Sequence, residues 1–261
     1  MKTIGLIGGG NMGEALIAGT RKDYKVLACE ANPARVKYLK SKYKISVVDL
    51  KSLISRSDVI VIAVKPQDFS PVLDQLAGHD LKGKLIVSIA AGITISFIEQ
   101  RLVQKAKVIR TMPNMPALIG EGITAVCKGK WATPRDIKDV CQLLKGIGET
   151  LIVTEDMMDA ITAVSGSGPA YVFLFVECFI KAAQDLGLTA SQSKDLVYRT
   201  LIGSAHLLEK ASDDAAALRA KVTSKGGTTQ AATDVFTGYQ LDRIFRDALV
   251  AARNRAKKLA K

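Results

Sequence analysis

The chain has 261 residues, enough for two domains or one large one, and 48% of them are apolar, which excludes an intrinsically disordered protein. Its formal charge of +12 would attract acidic ligands or a polyanion. Because no aromatic residues alternate with the basic residues near the end of the chain, we expect a solvated basic surface rather than a nucleic-acid site.

The first part of the chain alternates short β-branched runs with stretches of helical periodicity. Up to about residue 153, this rhythm predicts an α/β fold, a parallel sheet with helices on both faces. Thr133 and Pro134 suit the cap and the first position of a helix over 133–145. The predicted strands are 3–7, 25–28, 58–64, 84–89, 107–111, 123–127 and 151–153.

A glycine cluster follows the first predicted strand and opens a helix. Gly8, Gly10 and Gly13 satisfy the G-x-G-x-x-G spacing, which suits a tight turn, close approach to a pyrophosphate and close packing of helix on strand. Glu30 stands at the end of the next strand, where an acidic residue is expected in such a unit. The sequence therefore predicts a Rossmann-type dinucleotide-binding domain.

The choice between NADH and NADPH stays open. Glu30 can accept hydrogen bonds from a ribose hydroxyl, which favours NADH, and it would repel a 2′-phosphate. Asn32, Arg35 and Lys37 can hold such a phosphate if Glu30 points away. The residues alone lean towards tolerance of NADH.

Further cofactor contacts are expected where later strands end. The carboxyl ends of the strands in an open α/β sheet face the ligand, so Lys65 and the small residues around Ala90 are candidates, with a solvated lysine and ordinary packing as alternatives. The predicted cofactor-binding residues are Ile7, Gly8, Gly9, Gly10, Asn11, Met12, Glu30, Ala63, Val64, Lys65, Pro66 and Ala90.

From about residue 155 the strand signal disappears. Helical periodicity runs over 168–186, 191–210 and 241–259, which predicts a helical domain over 154–261 after a dinucleotide-binding domain over 1–153. Long apolar helix faces in so few residues favour packing against a second subunit. The most apolar stretch, 171–180, is too short to span a bilayer, and no signal peptide is evident, so we expect a cytoplasmic protein without a membrane partner.

A second glycine pair lies in the helical part. Gly226 and Gly227 precede Thr228 and Thr229 at a predicted helix start, an arrangement that offers backbone N–H groups to an anion. A plain helix cap is the alternative. The four cysteines show no paired spacing, and two lie in apolar runs, which favours buried free thiols; with two isolated histidines, no metal site is expected.

Taken together, six segments closely resemble the pyrroline-5-carboxylate reductase family. The resemblance implies a Rossmann domain followed by a helical dimerisation domain, reduction of 1-pyrroline-5-carboxylate to L-proline with NADPH or NADH, and dimers often assembled into decamers. It also implies that Thr229 contacts the ring nitrogen of the substrate and that Glu155 lies near the substrate. The segments are GLIGGGNMGEALI at 5–17, VIAVKPQ at 61–67, SIAAGI at 88–93, RTMPNMPA at 110–117, SGSGPAYVF at 165–173 and TSKGGTTQAA at 223–232.

Two positions depart from the family pattern beside the second glycine pair. Many relatives carry Pro in place of Lys225 and an aliphatic residue in place of Gln230. The alternatives are a reductase of a related imine or β-hydroxy acid on the same scaffold, or a non-catalytic nucleotide-binding protein. The intact segment 226–229 argues against the latter, because a sensor has no use for a second anion site.

Overall fold

The structure is a computed structural model that describes residues 2–103 and 105–260. It forms two compact units. The first comprises Met1–Pro169 with Ala251–Lys261, and the second comprises Ala170–Val250. Each unit is built differently.

An eight-stranded sheet forms the centre of the first unit. Its order is β3-β2-β1-β4-β5-β6-β7-β8, and every neighbouring pair is parallel except β6 with β7. The order places β1 near the middle, as in doubly wound folds. The strands are β1 (Thr3–Ile7), β2 (Lys25–Cys29), β3 (Ser46–Val47), β4 (Val59–Ile62), β5 (Leu85–Ser88), β6 (Lys107–Met112), β7 (Gly122–Lys128) and β8 (Gly148–Ile152).

Three features of the sheet differ from the expectation. The strand β7 runs antiparallel to β6, because the segment 113–121 between them is shorter than the dozen or so residues that a parallel crossover needs. The strand β8 begins and ends earlier than the predicted 151–153, and β3 was not predicted because two residues carry no periodicity. The α/β class is confirmed.

Helices cover both faces of the sheet, and alternate strand residues enter two separate cores. In β4, Val59 and Val61 pack in one core, whereas Ile60 and Ile62 pack in the other. Burial on both faces explains why the strands are continuous apolar runs. The helices before residue 150 are α1 (Asn11–Thr20), α2 (Pro33–Tyr43), α3 (Leu50–Arg56), α4 (Phe69–Ala77), α5 (Ile95–Leu102) and α6 (Pro134–Leu144).

The start of α6 is fixed by the predicted cap. The Thr133 side chain accepts from the backbone N–H of Asp136, and the Asp136 carboxylate accepts from the backbone N–H of Thr133, which forms a capping box. Pro134 occupies the first helical position. The predicted helix over 133–145 is confirmed.

The chain after residue 155 is helical. A short four-residue helix α7 (Met158–Ile161) is followed by five more, and the predicted helices over 168–186, 191–210 and 241–259 are confirmed within a residue at each end. These five are α8 (Gly168–Asp185), α9 (Ala190–Lys210), α10 (Ala215–Lys221), α11 (Thr228–Gly238) and α12 (Leu241–Leu259).

Large apolar side chains are exposed along α8. Phe173, Phe175 and Phe179 are each between 42% and 52% exposed in the single chain. The helical run Glu155–Asp185 has 31 residues and contains an 18-residue window with a mean hydropathy of 1.5, so by length and composition alone it is able to cross a bilayer, and the expectation that the most apolar helical stretch is too short is wrong. Its length exceeds the prediction because the turns before Gly168 continue into α8. One such helix is weak evidence for a membrane.

The cysteines are free, but their burial varies. Cys127 is buried, Cys29 and Cys141 are half-buried, and Cys178 is exposed. The expectation of buried thiols therefore holds for Cys127 and is wrong for Cys178, which lies in an apolar run that the single chain leaves uncovered.

Candidate dinucleotide site and acid-binding loop

A cavity of about 1010 Å³ lies in the first unit. Most of the residues that line it stand at or just after the carboxyl ends of β1, β2, β4, β5 and β6, which is where open α/β sheets bind ligands. The lining residues are Ile7, Gly8, Gly10, Asn11, Met12, Cys29, Glu30, Ala31, Leu50, Ala63, Val64, Lys65, Pro66, Asp68, Pro71, Val72, Gln75, Ile89, Ala90, Ala91, Pro113, Asn114, Met115, Leu118 and Gly166.

The three glycines of the first motif have different surroundings. Gly8 has a φ of +98°, and a Cβ there would lie 2.8 Å from the carbonyl oxygen of Ala63. A Cβ on Gly13 would lie 2.3 Å from the carbonyl oxygen of Gly8, whereas a Cβ on Gly10 would meet nothing within 4 Å. Gly8 and Gly13 are therefore required by the protein itself, and Gly10 leaves open space at the start of α1 for a ligand.

The structure brings together every predicted cofactor residue except Gly9 around this cavity. Gly9 is not a lining residue; its N–H donates to Glu30 and its carbonyl oxygen accepts from Arg35. The prediction missed the segment after β6, represented by Pro113, Asn114 and Met115. The end of a predicted strand at residue 111 was the signal that could have identified it.

A cluster of polar side chains lies beside the glycine loop. The Glu14 carboxylate accepts hydrogen bonds from Arg35 at 2.9 Å, Tyr38 at 2.8 Å, Lys42 at 3.0 Å and Tyr43 at 2.8 Å. Burial opposes the charge, but these four donors outweigh it and lower the pKa of Glu14 to about 2. The cluster joins α1 to α2, and through Arg35 it reaches the carbonyl of Gly9.

Replacement of Glu14 by glutamine should lower stability and flatten its pH dependence. Because the pKa of Glu14 is lowered from 4.5 to about 2 in the folded state, its contribution is complete above about pH 5 and is lost as the pH falls through 2. We expect Glu14→Gln to cost about 1–2 kcal/mol at pH 7 and much less at pH 2, measured by denaturant unfolding. The exposed Glu209→Gln is the control. An equal loss at both pH values would contradict this role of the charge.

Glu155 is held by two groups of the first unit. Its Oε1 accepts from Arg110 Nη1 at 2.9 Å and from the backbone N–H of Ile95 at 2.7 Å. Arg110 is only 4% exposed, so this ion pair compensates a buried charge, and Glu155 is not a lining residue of the cavity. The pKa of the nearby Cys127 thiol is raised to about 12, mainly by burial and then by the charge of Glu155. Cys127 is therefore an unreactive thiol.

The second glycine pair forms a tight loop before α11. Gly226 has a φ of +72°, and its N–H donates to Gln230 Oε1 at 2.7 Å, while the N–H of Gly227 donates to the carbonyl oxygen of Ser224 at 3.0 Å. Neither glycine N–H is therefore free, in contrast to the expectation that both can face an anion. Gly227 gives α11 no side-chain cap, so the first-turn N–H groups of Thr228 and Thr229 are the donors available there.

Among the residues the structure describes, no three or more His, Cys, Asp or Glu side chains are grouped to hold a metal ion. A doubly wound sheet with a glycine loop at the mouth of a large cavity defines a dinucleotide-binding protein of the Rossmann class. Such a fold hosts many chemistries, so the fold and the cavity alone do not identify the family.

Known proteins narrow this class to one family. The family profile described as pyrroline-5-carboxylate reductase dimerisation matches residues 155–259, and that described as NADP oxidoreductase coenzyme F420-dependent matches residues 3–92. The pyrroline-5-carboxylate reductase of Mycobacterium tuberculosis is 37% identical, covering 99% of this chain and 97% of the relative. That of Methanosarcina acetivorans is 34% identical, covering 99% and 98%.

Solved structures of the same family are also similar to this chain. The pyrroline-5-carboxylate reductase of Coxiella burnetii has a TM-score of 0.93 at 32% identity, covering 100% of this chain and 99% of that one. The Plasmodium falciparum enzyme, solved with NADP bound, has a TM-score of 0.89 at 30% identity, covering 100% and 98%. This chain belongs to the pyrroline-5-carboxylate reductase family. It is an oxidoreductase, and its helical part contains an oligomerisation domain.

Proposed function

We propose that this chain reduces 1-pyrroline-5-carboxylate to L-proline by hydride transfer from NADPH or NADH, the last step of proline biosynthesis. The observation that carries the proposal is the cavity beside the glycine loop, in a chain related over nearly its whole length to enzymes with that name. The cofactor supplies the hydride when it is bound. The chain has to bind the dinucleotide, hold the acid group of the substrate and orient its C=N bond.

The first unit supplies the dinucleotide site in this proposal. The N-terminus of α1 faces the open space at Gly10, where backbone N–H groups and the helix dipole favour a pyrophosphate. Ala63, Val64 and Ala90 contribute small or apolar surface at the ends of β4 and β5. Lys65 adds an exposed positive charge at the same edge.

For the substrate, we assign the loop and first turn of α11. The N–H groups of Thr228 and Thr229 bind the carboxylate, and Gly226 and Gly227 give the loop the shape that presents them. The Thr229 hydroxyl donates to or accepts from the ring nitrogen and orients it. Glu155 lies near the substrate in this proposal and helps to position it. Its contacts with Arg110 and Ile95 hold its carboxylate in place.

The proposed organisation follows the two matched profiles. We place the dinucleotide-binding domain at 1–153 and the helical substrate-binding and dimerisation domain at 154–261; profile matches that lie within these two ranges, at 3–92 and 155–259, support this division. Exposed phenylalanines on α8 favour a homodimer in which a second copy covers them, and dimers can assemble further into decamers. We place the enzyme in the cytoplasm, with no nucleic acid or membrane as partner. Sedimentation of the purified protein as a monomer would contradict this assembly.

The function is tested with the purified full-length protein. Oxidation of NADPH and of NADH is followed spectrophotometrically with 1-pyrroline-5-carboxylate, and the reverse oxidation of L-proline is followed at high pH. We expect oxidation of the cofactor to depend on the imine. The product, identified by chromatography, should be proline. Activity only with another imine or with a β-hydroxy acid would favour a related reductase. Tight cofactor binding without turnover of any of these would indicate a non-catalytic nucleotide-binding protein.

A further inference from the structure

We propose that Glu30 makes this chain select NADH over NADPH. The inference deepens the proposed function and rests on it for the identity of the cofactor. Glu30 is half-buried, lines the cavity and immediately follows β2. In dinucleotide-binding units an acidic residue at this position accepts hydrogen bonds from the ribose hydroxyls and is unfavourable for a 2′-phosphate.

The carboxylate of Glu30 is fixed at this position. Its Oε2 accepts from the backbone N–H of Gly9 at 2.6 Å, and its Oε1 accepts from the backbone N–H of Asn32 at 2.7 Å. A swing away from the cavity would break both hydrogen bonds to backbone donors. Glu30 therefore points towards the cavity. Its neighbours could hold a phosphate only if it pointed away.

The guanidinium of Arg35 is already engaged. Arg35 Nε donates to the carbonyl oxygen of Gly9 at 2.8 Å, and its Nη2 contacts the same oxygen and forms an ion pair with Glu14 at 2.9 Å. The guanidinium also lies over the ring of Tyr38, 4.9 Å from its centroid. Bidentate binding of a phosphate would require Arg35 to give up a contact with Gly9 or with Glu14, because Nε and Nη2 are both engaged.

Of the three neighbours of Glu30 that the sequence offers for a phosphate, the other basic one is Lys37. It is exposed on α2 and is not a lining residue of the cavity. A 2′-phosphate would thus bring added negative charge towards the fixed carboxylate of Glu30, while the charge of Arg35 is balanced by Glu14. A ribose hydroxyl meets neither obstacle, because it can donate to the carboxylate.

The test is equilibrium binding of NADH and NADPH to the full-length protein, by nucleotide fluorescence or calorimetry, without substrate. We expect the wild type to bind NADH at least about tenfold more tightly. Glu30→Gln removes the charge and should reduce that ratio about fivefold or more, mainly by tighter binding of NADPH. Arg35→Gln should weaken both nucleotides by similar factors, because Arg35 acts on the glycine loop. The exposed Glu121→Gln, which removes the same charge elsewhere, should leave the ratio unchanged.

Equal or tighter binding of NADPH by the wild type would overturn the proposal. So would a loss of affinity in Arg35→Gln confined to NADPH, since that would show Arg35 on the phosphate. If Glu30→Gln does not fold, the wild-type ratio and Arg35→Gln decide the question. Selective binding of NADH by a protein that fails to reduce 1-pyrroline-5-carboxylate would count against the proposed function and leave the selectivity intact.

Discussion

Gly13→Ala should sharply weaken both the fold and the binding of the cofactor. A Cβ at this position would lie 2.3 Å from the carbonyl oxygen of Gly8 and 3.1 Å from Leu6 Cδ2. The first contact is with backbone, so α1 has to move away from the glycine loop. We expect a loss of about 2–3 kcal/mol in the free energy of unfolding, despite the better helix propensity of alanine. Displacement of the loop should weaken NADH binding about 100-fold.

Gly10→Ala is the matched control, with the same added methyl group three residues earlier. Its Cβ would meet nothing within 4 Å, and its φ of −65° suits any residue. We expect a loss of about 1 kcal/mol in stability, because alanine is a poorer helix N-cap than glycine, and therefore a smaller loss than in Gly13→Ala. Because the methyl group would occupy the space assigned to the pyrophosphate, NADH binding should still weaken about tenfold.

The two variants are compared by denaturant unfolding and by nucleotide titration. We expect Gly13→Ala to lose the larger part of both the stability and the NADH affinity, and Gly10→Ala to lose mainly NADH affinity. If Gly10→Ala binds NADH as tightly as the wild type, the open space at the start of α1 is not the pyrophosphate site. If Gly13→Ala unfolds like the wild type, the helix has room that the structure does not show.

The sequence predicts the strands of the sheet well where burial leaves a local pattern in consecutive residues. Strands such as Val59–Ile62 are continuous apolar runs because both faces of the sheet are covered, so burial alone marks them. The direction of β7 is not encoded in this way. It depends on the length and path of segment 113–121, which includes a short 3-10 helix at Met115–Ile119, and the apolar pattern of a strand is the same in either direction.

The site was predictable in its backbone and not in its side-chain contacts. Glycine spacing and strand ends located the cavity, because a ligand that approaches the backbone needs small residues at fixed positions. Arg35 hydrogen-bonds Gly9 and Glu14, which are more than 20 positions away in the sequence. No periodic pattern in the sequence predicts these contacts. The same holds for Glu155 with Arg110, which are 45 positions apart.

The departure at Gln230 shows what a residue change can mean once its partner is known. In sequence, a glutamine in place of an aliphatic residue had no evident consequence. In the structure, its amide oxygen accepts the N–H of Gly226, which has a positive φ, and so holds the loop before α11. It also removes that N–H from the donors available to a carboxylate and leaves those of the first turn of α11.

Thr229→Ala should reduce reduction of the imine far more than binding of the cofactor. In the proposed site the hydroxyl of Thr229 hydrogen-bonds the ring nitrogen, whose basicity rises as the C=N bond is reduced, so the contact strengthens towards the transition state. We expect kcat/KM for 1-pyrroline-5-carboxylate to fall about 100-fold, the order seen when one positioned hydrogen-bond donor is removed. The affinity for NADH, measured without substrate, should change less than about twofold.

Thr228→Ala, one residue earlier, is the matched control. Both threonines lie in the first turn of α11, and that turn has no side-chain cap, so each variant loses one hydroxyl at the same helix start and keeps its backbone N–H. A role in starting the helix would therefore make the two variants equally impaired, in stability and in activity. A role on the ring nitrogen would impair Thr229→Ala alone, and Thr229→Ser, which restores a hydroxyl, should recover most of the lost kcat/KM. Equal activity of Thr229→Ala and the wild type would remove Thr229 from the mechanism and leave it as a helix-start residue.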